Sequence, residues 1–450
     1  MRLTGFTPAA SVLCLCAAVA SSAFAAGKIF PYNYVQEDLP NGLRLITIPT
    51  DYRNIVALYI VVGAGSRNEV EPGKSGFAHL FEHLMFRGTA EYSAERYQQE
   101  LSSAGAASNA FTTSDFTAYH TTFSKEDLPR ILSMEADRFQ HLSVDEAAYK
   151  TETRAVLGEF NKNSANPQQK LYEVMRATAF RAHTYRHTTM GFLEDVEAMP
   201  NEYEYSREFY SRYYRPEYTT IIVVGDVEAK KVRSLVDERW GVWKRGDYKP
   251  QIPAEPPQDG PRTANIDWPS PTLPFVEVAY RGPAFADESP ETAALDATAR
   301  LLFDHSAPLY QKLVINEQKL DSLNAGPPDN LDPELFGAIA RVKKESDVPQ
   351  VTKEIIAAIE EFASKPVDAK TLEALKQHVR YEFVLRMSNS EAIAESVARF
   401  VALRRTPEAI NRYFDFYAKL TPQDLQRVAR QYLTEKNRTV VTLATKAVTK

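Results

Sequence analysis

The two halves of this 450-residue chain carry the same order of sequence features, and this repetition limits the folds that the chain can adopt. In the first half, the β-branched, apolar run 55–62 leads into a helical pattern, FAHLFEHLMF. In the second half, the run 275–280 leads into another helical pattern, ETAALDATARLLF. Both halves also close alike, with a helix, a short turn and an apolar strand at 207–227 and 425–445. A repeat with a period of about 220 residues indicates duplication of an α+β unit.

A proline-rich stretch at 249–274 separates the halves. Prolines at this density exclude a helix or a central strand. We therefore predict a partly extended linker between an N-terminal domain, 27–248, and a C-terminal domain, 275–450. The length of the chain favours two or three domains, and a hydrophobic content of 44% is enough for a sizeable core.

The first 26 residues are predicted to be a signal peptide. They combine a positive charge at Arg2, an apolar middle and the pattern A-F-A at 23–25, which places cleavage after residue 25 or 26. No apolar run reaches the length of about 18 residues that a membrane span needs, so we expect no transmembrane segment. Cys14 and Cys16 lie inside this leader, and the residues before Cys14 leave a lipoprotein as the alternative. The sequence therefore predicts a periplasmic or secreted protein.

The mature chain is mildly acidic and has no cysteine. Its formal charge is −6 with the leader and −6 − 1 = −7 without Arg2. This charge gives no general attraction to nucleic acid or to an anionic membrane, so we expect neither as a partner. Without cysteine, any metal site has to use histidine, carboxylate and water.

The pentapeptide HLFEH places His79 and His83 four residues apart. On a helix this spacing puts both imidazoles on one face, where they can reach a single ion. Glu82 lies at the edge of that face, close enough to contact a water molecule on the ion, and the order H-x-x-E-H is a known metallopeptidase signature. Taken alone, the pentapeptide also fits a buried helix whose two histidines are hydrogen-bonded.

A catalytic zinc ion needs a third protein ligand and an open position for water. Glu152 and Glu159 are seven residues apart in TETRAVLGEF and so share one face of another helix. Glu159 follows His83 by 76 residues, enough for a helix, a hairpin and a second helix that returns to the first. This spacing makes Glu159 a candidate third ligand without establishing that the two helices meet.

Together these motifs resemble those of the M16 family of zinc metallopeptidases, which includes pitrilysin, insulin-degrading enzyme and mitochondrial processing peptidase. The resemblance covers nearly the whole mature chain. The features that carry it are His79-x-x-Glu82-His83, the pair Glu152 and Glu159, FRGT at 86–89, SNAFTTSDFTAYHTTF, His183-x-Tyr185 before Met190-Gly191, and VVGDV at 223–227.

The resemblance implies a zinc endopeptidase that hydrolyses peptides or unfolded polypeptides. His79, His83 and Glu159 would bind Zn²⁺, Glu82 would be the general base, and Glu152 would support the ligands from behind. The implied fold is α+β, with two homologous domains, each an antiparallel sheet packed with helices, facing one another as a shell. For Glu152, an ordinary solvated position on a helix surface is the alternative.

The stretch 108–123, rich in threonine and aromatic residues, suits a β-strand. In the family the matching strand lies at the sheet edge beside zinc, where an extended peptide can pair with its free backbone groups. By this resemblance Asn109 and Ala110 are assigned to substrate contact, although Asn109 is equally compatible with a turn at a strand end. His183 and Tyr185 are interpreted as packing or loop residues.

One part of the family pattern is missing. Many members carry an arginine and, seven residues later, a tyrosine that reach the scissile carbonyl, but here these positions fall on Val314 and Asp321. A slip of one residue offers Ser322, which is no better. The resemblance therefore implies a heterodimer, with this chain as the zinc-bearing subunit and an M16-like partner carrying the Arg/Tyr pair. The alternative is a non-catalytic peptide-binding or scaffold subunit.

Overall fold

The computed structural model describes residues 28–446. The predicted signal peptide, with Cys14 and Cys16, lies outside the described residues. Between residues 28 and 446, none of the helices combines the length and the apolar character needed to cross a membrane.

The first half folds around the apolar strand β3, which is buried on both faces of its sheet. Alternate residues of this strand supply two different cores because successive side chains point to opposite faces. The elements of this half are β1 (Val35–Asp38), β2 (Arg44–Pro49), β3 (Ile55–Val62), α1 (Phe77–Leu84), α2 (Ala94–Ser103), β4 (Ala107–Thr112), β5 (Thr117–Ser124), α3 (Leu128–His141), α4 (Glu146–Ser164), α5 (Pro167–Ala179), α6 (Leu193–Ala198), α7 (Tyr203–Tyr213), β6 (Thr219–Gly225) and α8 (Ala229–Trp240).

The second half repeats this order around β8. Its elements are β7 (Arg262–Trp268), β8 (Phe275–Arg281), α9 (Glu291–Phe303), α10 (Pro308–Tyr310) continued by a π-helical segment (Gln311–Asn316), β9 (Leu320–Gly326), β10 (Leu335–Val342), α11 (Val348–Ser364), α12 (Ala369–Arg386), α13 (Ser390–Arg404), α14 (Glu408–Lys419), α15 (Pro422–Tyr432) and β11 (Arg438–Thr445). The helices and strands predicted for the ends of the two halves are α7 with β6 and α15 with β11.

The two sheets have the same topology, as expected of a duplicated α+β unit. The strand orders are β1-β2-β6-β3-β5-β4 and β7-β11-β8-β10-β9, so in the described part of the chain the second sheet lacks only a counterpart of β1. Both sheets are mixed, whereas the sequence predicted antiparallel ones: β2 pairs with β6, and β7 with β11, in parallel. The last strand of each half lies between two earlier strands, β6 between β2 and β3 and β11 between β7 and β8, and one of its two neighbours is parallel to it.

The predicted linker at 249–274 contains part of the second sheet. Residues 262–268, the longest proline-free run of that stretch, form β7, an edge strand. Prolines flank this strand and leave its backbone free to pair with β11 on one side, as an edge position allows. The second half therefore begins at β7, before residue 275.

Each half contributes a helix to the sheet of the other half. Helix α5, from the first half, packs Leu171 and Met175 into a core that includes Phe275 and Val441 of the second sheet. Helix α13, from the second half, covers the first sheet, with Val397 in the same core as Tyr59. The two halves are thus interlocked by exchanged helices.

Polar contacts reinforce this arrangement at the loop between β9 and β10. Asp332 in that loop accepts hydrogen bonds from Arg67 and from His183 Nε2, the latter at 3.0 Å. Tyr185 and the backbone nitrogen of Leu331 both donate to Asp115. The residues of the predicted packing motif His183-x-Tyr185 therefore join the two halves.

We expect Asp332→Asn to weaken the fold in a pH-dependent way. Partial burial alone would raise the pKa of Asp332, but the hydrogen bonds from His183 and Arg67 outweigh it and lower the pKa from 3.8 to about 2. A depressed carboxyl pKa stabilises the folded state above pH 4, and this contribution disappears as the pH falls towards 2. The variant should lose about 1–2 kcal/mol in the free energy of unfolding at pH 7, measured by urea denaturation.

The wild-type and Asp332→Asn curves of stability against pH should converge between pH 4 and pH 2. Asp237→Asn, which removes an exposed pair with Arg233 within one helix, is the control and should change stability by less than about 0.5 kcal/mol. Curves that stay parallel down to pH 2 would contradict the assignment of a lowered pKa to Asp332.

Candidate metal centre

Helix α1 is held firmly at its N-terminus, which fixes the positions of the side chains that it carries. The buried carboxylate of Glu69 accepts hydrogen bonds from the backbone nitrogens of Gly76, at 2.8 Å, and Ala78, at 2.7 Å. A carboxylate at this end of a helix satisfies free N–H groups and complements the helix dipole. Leu80 and Leu84, each directly after one of the two histidines, are buried in the core of the first half.

Three potential ligand atoms converge where α1 meets α4. His79 Nε2 and His83 Nε2 are 3.3 Å apart, and Glu159 Oε2 lies 3.4 Å from His83 Nε2 and 3.7 Å from His79 Nε2. A tetrahedral zinc ion with bonds of about 2.0–2.1 Å separates its ligand atoms by about 3.3 Å. The triangle therefore fits zinc, with a fourth position left for water.

Elsewhere in residues 28–446 no group of three histidine, cysteine, aspartate or glutamate side chains is arranged to share an ion. The structure thus brings together the three residues that the sequence nominated as ligands.

The two histidines differ in their electrostatic surroundings. Burial, and then the neighbouring His83, lowers the pKa of His79 to about 4, so this imidazole is neutral at pH 7. The hydrogen bond with Glu152 raises the pKa of His83. A metal ion arriving at the site would have to displace a proton from His83 at mildly acidic pH, so acid weakens metal binding.

Glu152 is buried behind His83 and is not a solvated surface residue. Its side chain is 3% exposed, and its Oε1 accepts a hydrogen bond from His83 Nδ1 at 3.0 Å. The other carboxylate oxygen forms an ion pair with Arg87. Burial alone would raise the pKa of Glu152, but the contacts with His83 and Arg87 outweigh it and lower the pKa. Glu152 therefore orients the His83 ring with Nε2 towards Glu159.

Glu82 lies beside the ligand triangle and is held by the neighbouring strand. Thr112 on β4 donates a hydrogen bond from Oγ1 to Glu82 Oε2 at 2.6 Å. Burial raises the pKa of Glu82, with Thr112 and His83 acting in the opposite direction. A partly buried carboxylate with a raised pKa is a suitable proton acceptor next to a metal ion.

The stretch 108–123 forms a hairpin, not the single strand that its composition suggested. β4 and β5 are joined by a turn in which Thr113 Oγ1 accepts hydrogen bonds from the backbone nitrogens of Asp115 and Phe116. The sequence prediction did not include this turn, which the Thr113 side chain stabilises. β4 is the edge strand of its sheet, with Asn109 exposed and Ala110 buried.

We expect Thr112→Val to reduce turnover without removing the metal. Its hydroxyl fixes the Glu82 carboxylate, and a hydrogen bond to a charged group contributes about 1.5–3 kcal/mol, so kcat for the peptide hydrolysis that the family resemblance implies should fall about 10-fold to 100-fold. Thr121→Val in the same hairpin, where the hydroxyl donates to Ser108, is the matched control. Equal turnover by Thr112→Val and the wild type, at equal zinc content, would rule out this role for Thr112.

The second half has an ion-paired triad at the place that corresponds to the ligand triangle. Asp296 and Arg300 on α9 stand where His79 and His83 stand on α1. Glu382 on α12 matches Glu159, because each lies 14 residues after the aspartate that caps its helix. Arg300 pairs with Asp296 at 3.2 Å and with Glu382 at 2.9 Å. The Arg300 guanidinium therefore lies between two carboxylates, at the place that corresponds to the ligand triangle of the first half; we call this place the second cleft.

The positions expected for the Arg/Tyr pair are occupied by residues with other contacts. Val314 lies in the π-helical segment and packs, partly buried, against the core of the second half. Asp321 on β9 forms an ion pair with Arg341 at 3.2 Å. Neither side chain can replace an arginine or a tyrosine beside a scissile carbonyl.

Sequence reasoning missed three residues that shape the site, namely Glu69, Arg87 and Thr112. Each acts through a tertiary contact with a residue that was nominated, or with the start of its helix. Arg87 and Thr112 do lie inside FRGT and SNAFTTSDFTAYHTTF, two of the motifs quoted for the resemblance. Their place in those motifs was the available signal.

Comparison with known proteins matches most of the chain to one family. A family model described as insulinase (peptidase family M16) matches residues 44–192, and one described as peptidase M16 inactive domain matches residues 202–379. The first range contains the ligand triangle, and the second contains Asp296 and Arg300 of the ion-paired triad and ends three residues before Glu382.

Among similar proteins, zinc protease PqqE of Helicobacter pylori is 29% identical over 412 residues, covering 90% of this chain and 91% of that one. A probable mitochondrial-processing peptidase subunit beta of Arabidopsis thaliana is 25% identical over 421 residues, covering 89% of this chain and 76% of that one. The crystal structure of a protease from Helicobacter pylori superposes with a TM-score of 0.86 at 28% identity, covering 92% of this chain and 99% of that chain.

Proposed function

Because the chain belongs to peptidase family M16, we propose that it is a zinc-dependent endopeptidase that hydrolyses peptides or unfolded polypeptides. The observation that carries this proposal is the triangle of His79, His83 and Glu159, whose dimensions suit a zinc ion with one position open to water. Names of similar proteins, zinc protease and processing peptidase, agree with it.

Each residue of the site has a part in the proposed reaction. Zinc held by His79, His83 and Glu159 would polarise the scissile carbonyl and make water acidic enough to lose a proton near pH 7. Glu82 accepts that proton as the water attacks and then delivers it to the leaving nitrogen of the peptide. Thr112 keeps the Glu82 carboxylate in place.

The edge strand β4 is the proposed site for the substrate main chain. Within residues 28–446 no strand pairs with its outer side, so an extended peptide can add to it by backbone hydrogen bonds. Ala110 is buried and would contribute its backbone, whereas Asn109 is exposed and can also contribute its side chain. This mode of binding places few demands on the peptide sequence.

We also propose that the chain works as the zinc-bearing subunit of a heterodimer with an M16-like partner that supplies the Arg/Tyr pair. Val314 and Asp321 occupy the matching positions here and have other contacts. Several similar proteins are named as subunits, among them the probable mitochondrial-processing peptidase subunit beta of Arabidopsis thaliana. The leader sequence supports a periplasmic or secreted location for this assembly.

The missing pair also favours a second candidate function, that of a peptide-binding or scaffold subunit without catalysis. This subunit would bind extended peptides at β4 and need no functional base. Zinc content and hydrolysis together distinguish the two functions.

The test uses the purified chain without its leader, in zinc-buffered solution with a quenched, unstructured peptide. We expect one zinc ion per chain, since the second cleft holds Arg300 in place of a metal, and cleavage that a chelator abolishes. Cleavage by the chain alone would disprove the need for a partner. Bound zinc with cleavage only after a chain carrying the Arg/Tyr pair is added would support the heterodimer. Bound zinc without cleavage in either mixture would favour the peptide-binding subunit.

A further inference from the structure

The segment FRGT at 86–89 follows the metal-binding helix and forms a turn that brings Arg87 to Glu152. The segment begins at the end of α1 and turns back, with the backbone nitrogen of Arg87 bonded to the carbonyl of Leu84 at 2.9 Å. None of its four residues belongs to the ligand triangle. Its connection to the metal centre runs through Glu152.

The turn is rigid because it is fixed at several points. Gly88 has φ +97°, and a Cβ atom there would lie 2.6 Å from the carbonyl oxygen of Tyr92, so a residue with a side chain would force the turn open. Isolated bridges pair Gly88 with Ser93 and Thr89 with Leu142. The hydroxyl of Thr89 also donates to Asp137 on α3. The backbone from which the Arg87 side chain extends is therefore held in one place.

From this turn Arg87 reaches the far side of Glu152. The Glu152 side chain is 3% exposed, and a carboxylate buried to this degree needs a cation or hydrogen-bond donors at both oxygens. His83 Nδ1 supplies one partner at 3.0 Å and the Arg87 guanidinium supplies the other. Arg87 itself is 45% exposed, so its loss opens no cavity in the core.

We propose that Arg87 is a positioning residue for metal binding, acting through Glu152 on the ring of His83. With Arg87 in place, the Glu152 carboxylate is fixed at one oxygen, and its other oxygen holds Nδ1 of His83 so that Nε2 faces His79 and Glu159. Residues that orient a metal-binding histidine in this way typically change metal affinity by about 10-fold to 100-fold when they are removed. The inference rests on the proposed zinc function.

The experiment measures the zinc dissociation constant of the complete mature chain by competition with a chromophoric chelator. Arg87→Met keeps the length of the side chain and removes its charge, and we expect its dissociation constant to rise about 10-fold to 100-fold. Arg87→Lys keeps the charge and should recover part of the loss, although lysine lacks the flat guanidinium. The control is Arg427→Met, since Arg427 is 47% exposed and pairs with Glu291 at 3.2 Å in the second half. It should bind zinc like the wild type.

The melting temperature of the metal-free variants distinguishes positioning from a general loss of structure. We expect Arg427→Met to melt within about 2 °C of the wild type. Arg87→Met leaves one oxygen of the buried Glu152 carboxylate without its cation but keeps the bond with His83, so it should melt at most about 5 °C lower. An unchanged zinc dissociation constant in Arg87→Met would overturn the inference, and so would a loss of affinity matched by a large fall in melting temperature. A wild-type chain that binds no zinc would overturn the proposed function together with this inference, whereas normal wild-type binding and normal Arg87→Met binding would overturn the inference alone.

Discussion

Replacing Glu82 by glutamine should reduce peptide hydrolysis about 100-fold to 10,000-fold while the zinc content stays at the wild-type level. The amide keeps the shape of the side chain and can still accept the hydrogen bond from Thr112. It cannot take a proton from water, so the general base is lost and the ligand triangle is kept. The measurement is kcat for a quenched peptide, beside metal analysis of the same preparation.

Two further Glu→Gln variants make this result specific. Glu159→Gln changes a proposed ligand and should lose zinc and activity together. Glu146→Gln, at an exposed position near the start of α4, should lose neither. Hydrolysis by Glu82→Gln at the wild-type rate, in the assembly that is active, would disprove the proposed mechanism.

Glu334→Gln should destabilise the fold more than the other substitutions considered for stability. Arg176 on α5 and Glu334, just before β10, form an ion pair at 2.8 Å with side-chain exposures of 4% and 8%. Removing one charge of a buried pair leaves the other without compensation and costs about 3–5 kcal/mol. Urea denaturation at pH 7 should show this loss as a lower midpoint.

Two further variants test whether the unpaired charge of Arg176 causes this loss of stability. The double variant Arg176→Met/Glu334→Leu removes both charges and should be closer to the wild type than Glu334→Gln, because apolar residues can replace a buried pair. Glu361→Gln, at an exposed pair with Lys365, should have little effect. A loss below about 1 kcal/mol in Glu334→Gln would show that the ion pair does not stabilise the contact between the halves.

Local patterns in the sequence predicted those helices and strands whose hydrophobic periodicity is visible in their own residues. The apolar runs that became β3 and β8 and the helical patterns of α1 and α9 were recognisable because their periodicity is independent of tertiary contacts. The α+β class followed from these patterns, and the resemblance of the motifs predicted membership of the M16 family, which the family models confirm. The convergence of His79, His83 and Glu159 was a hypothesis from spacing, and the geometry agrees with it.

Features that depend on distant partners could not be predicted in this way. The run that forms β7 has prolines on both sides and becomes a strand only because β11 is beside it. The local sequences of α5 and α13 do not indicate that each helix covers the sheet of the other half. The contacts of Thr112 with Glu82 and of Arg87 with Glu152 likewise join residues that are far apart in the chain.

The exchange of α5 and α13 has a consequence for how a substrate can enter. Separating the two halves would pull both helices off the sheets that they cover and expose two apolar cores at once. A hinge between the halves is therefore far more costly than a movement that leaves these cores intact. In the proposed heterodimer, the gate that admits a polypeptide to the metal site would therefore open between the two subunits, with this chain moving as one rigid body.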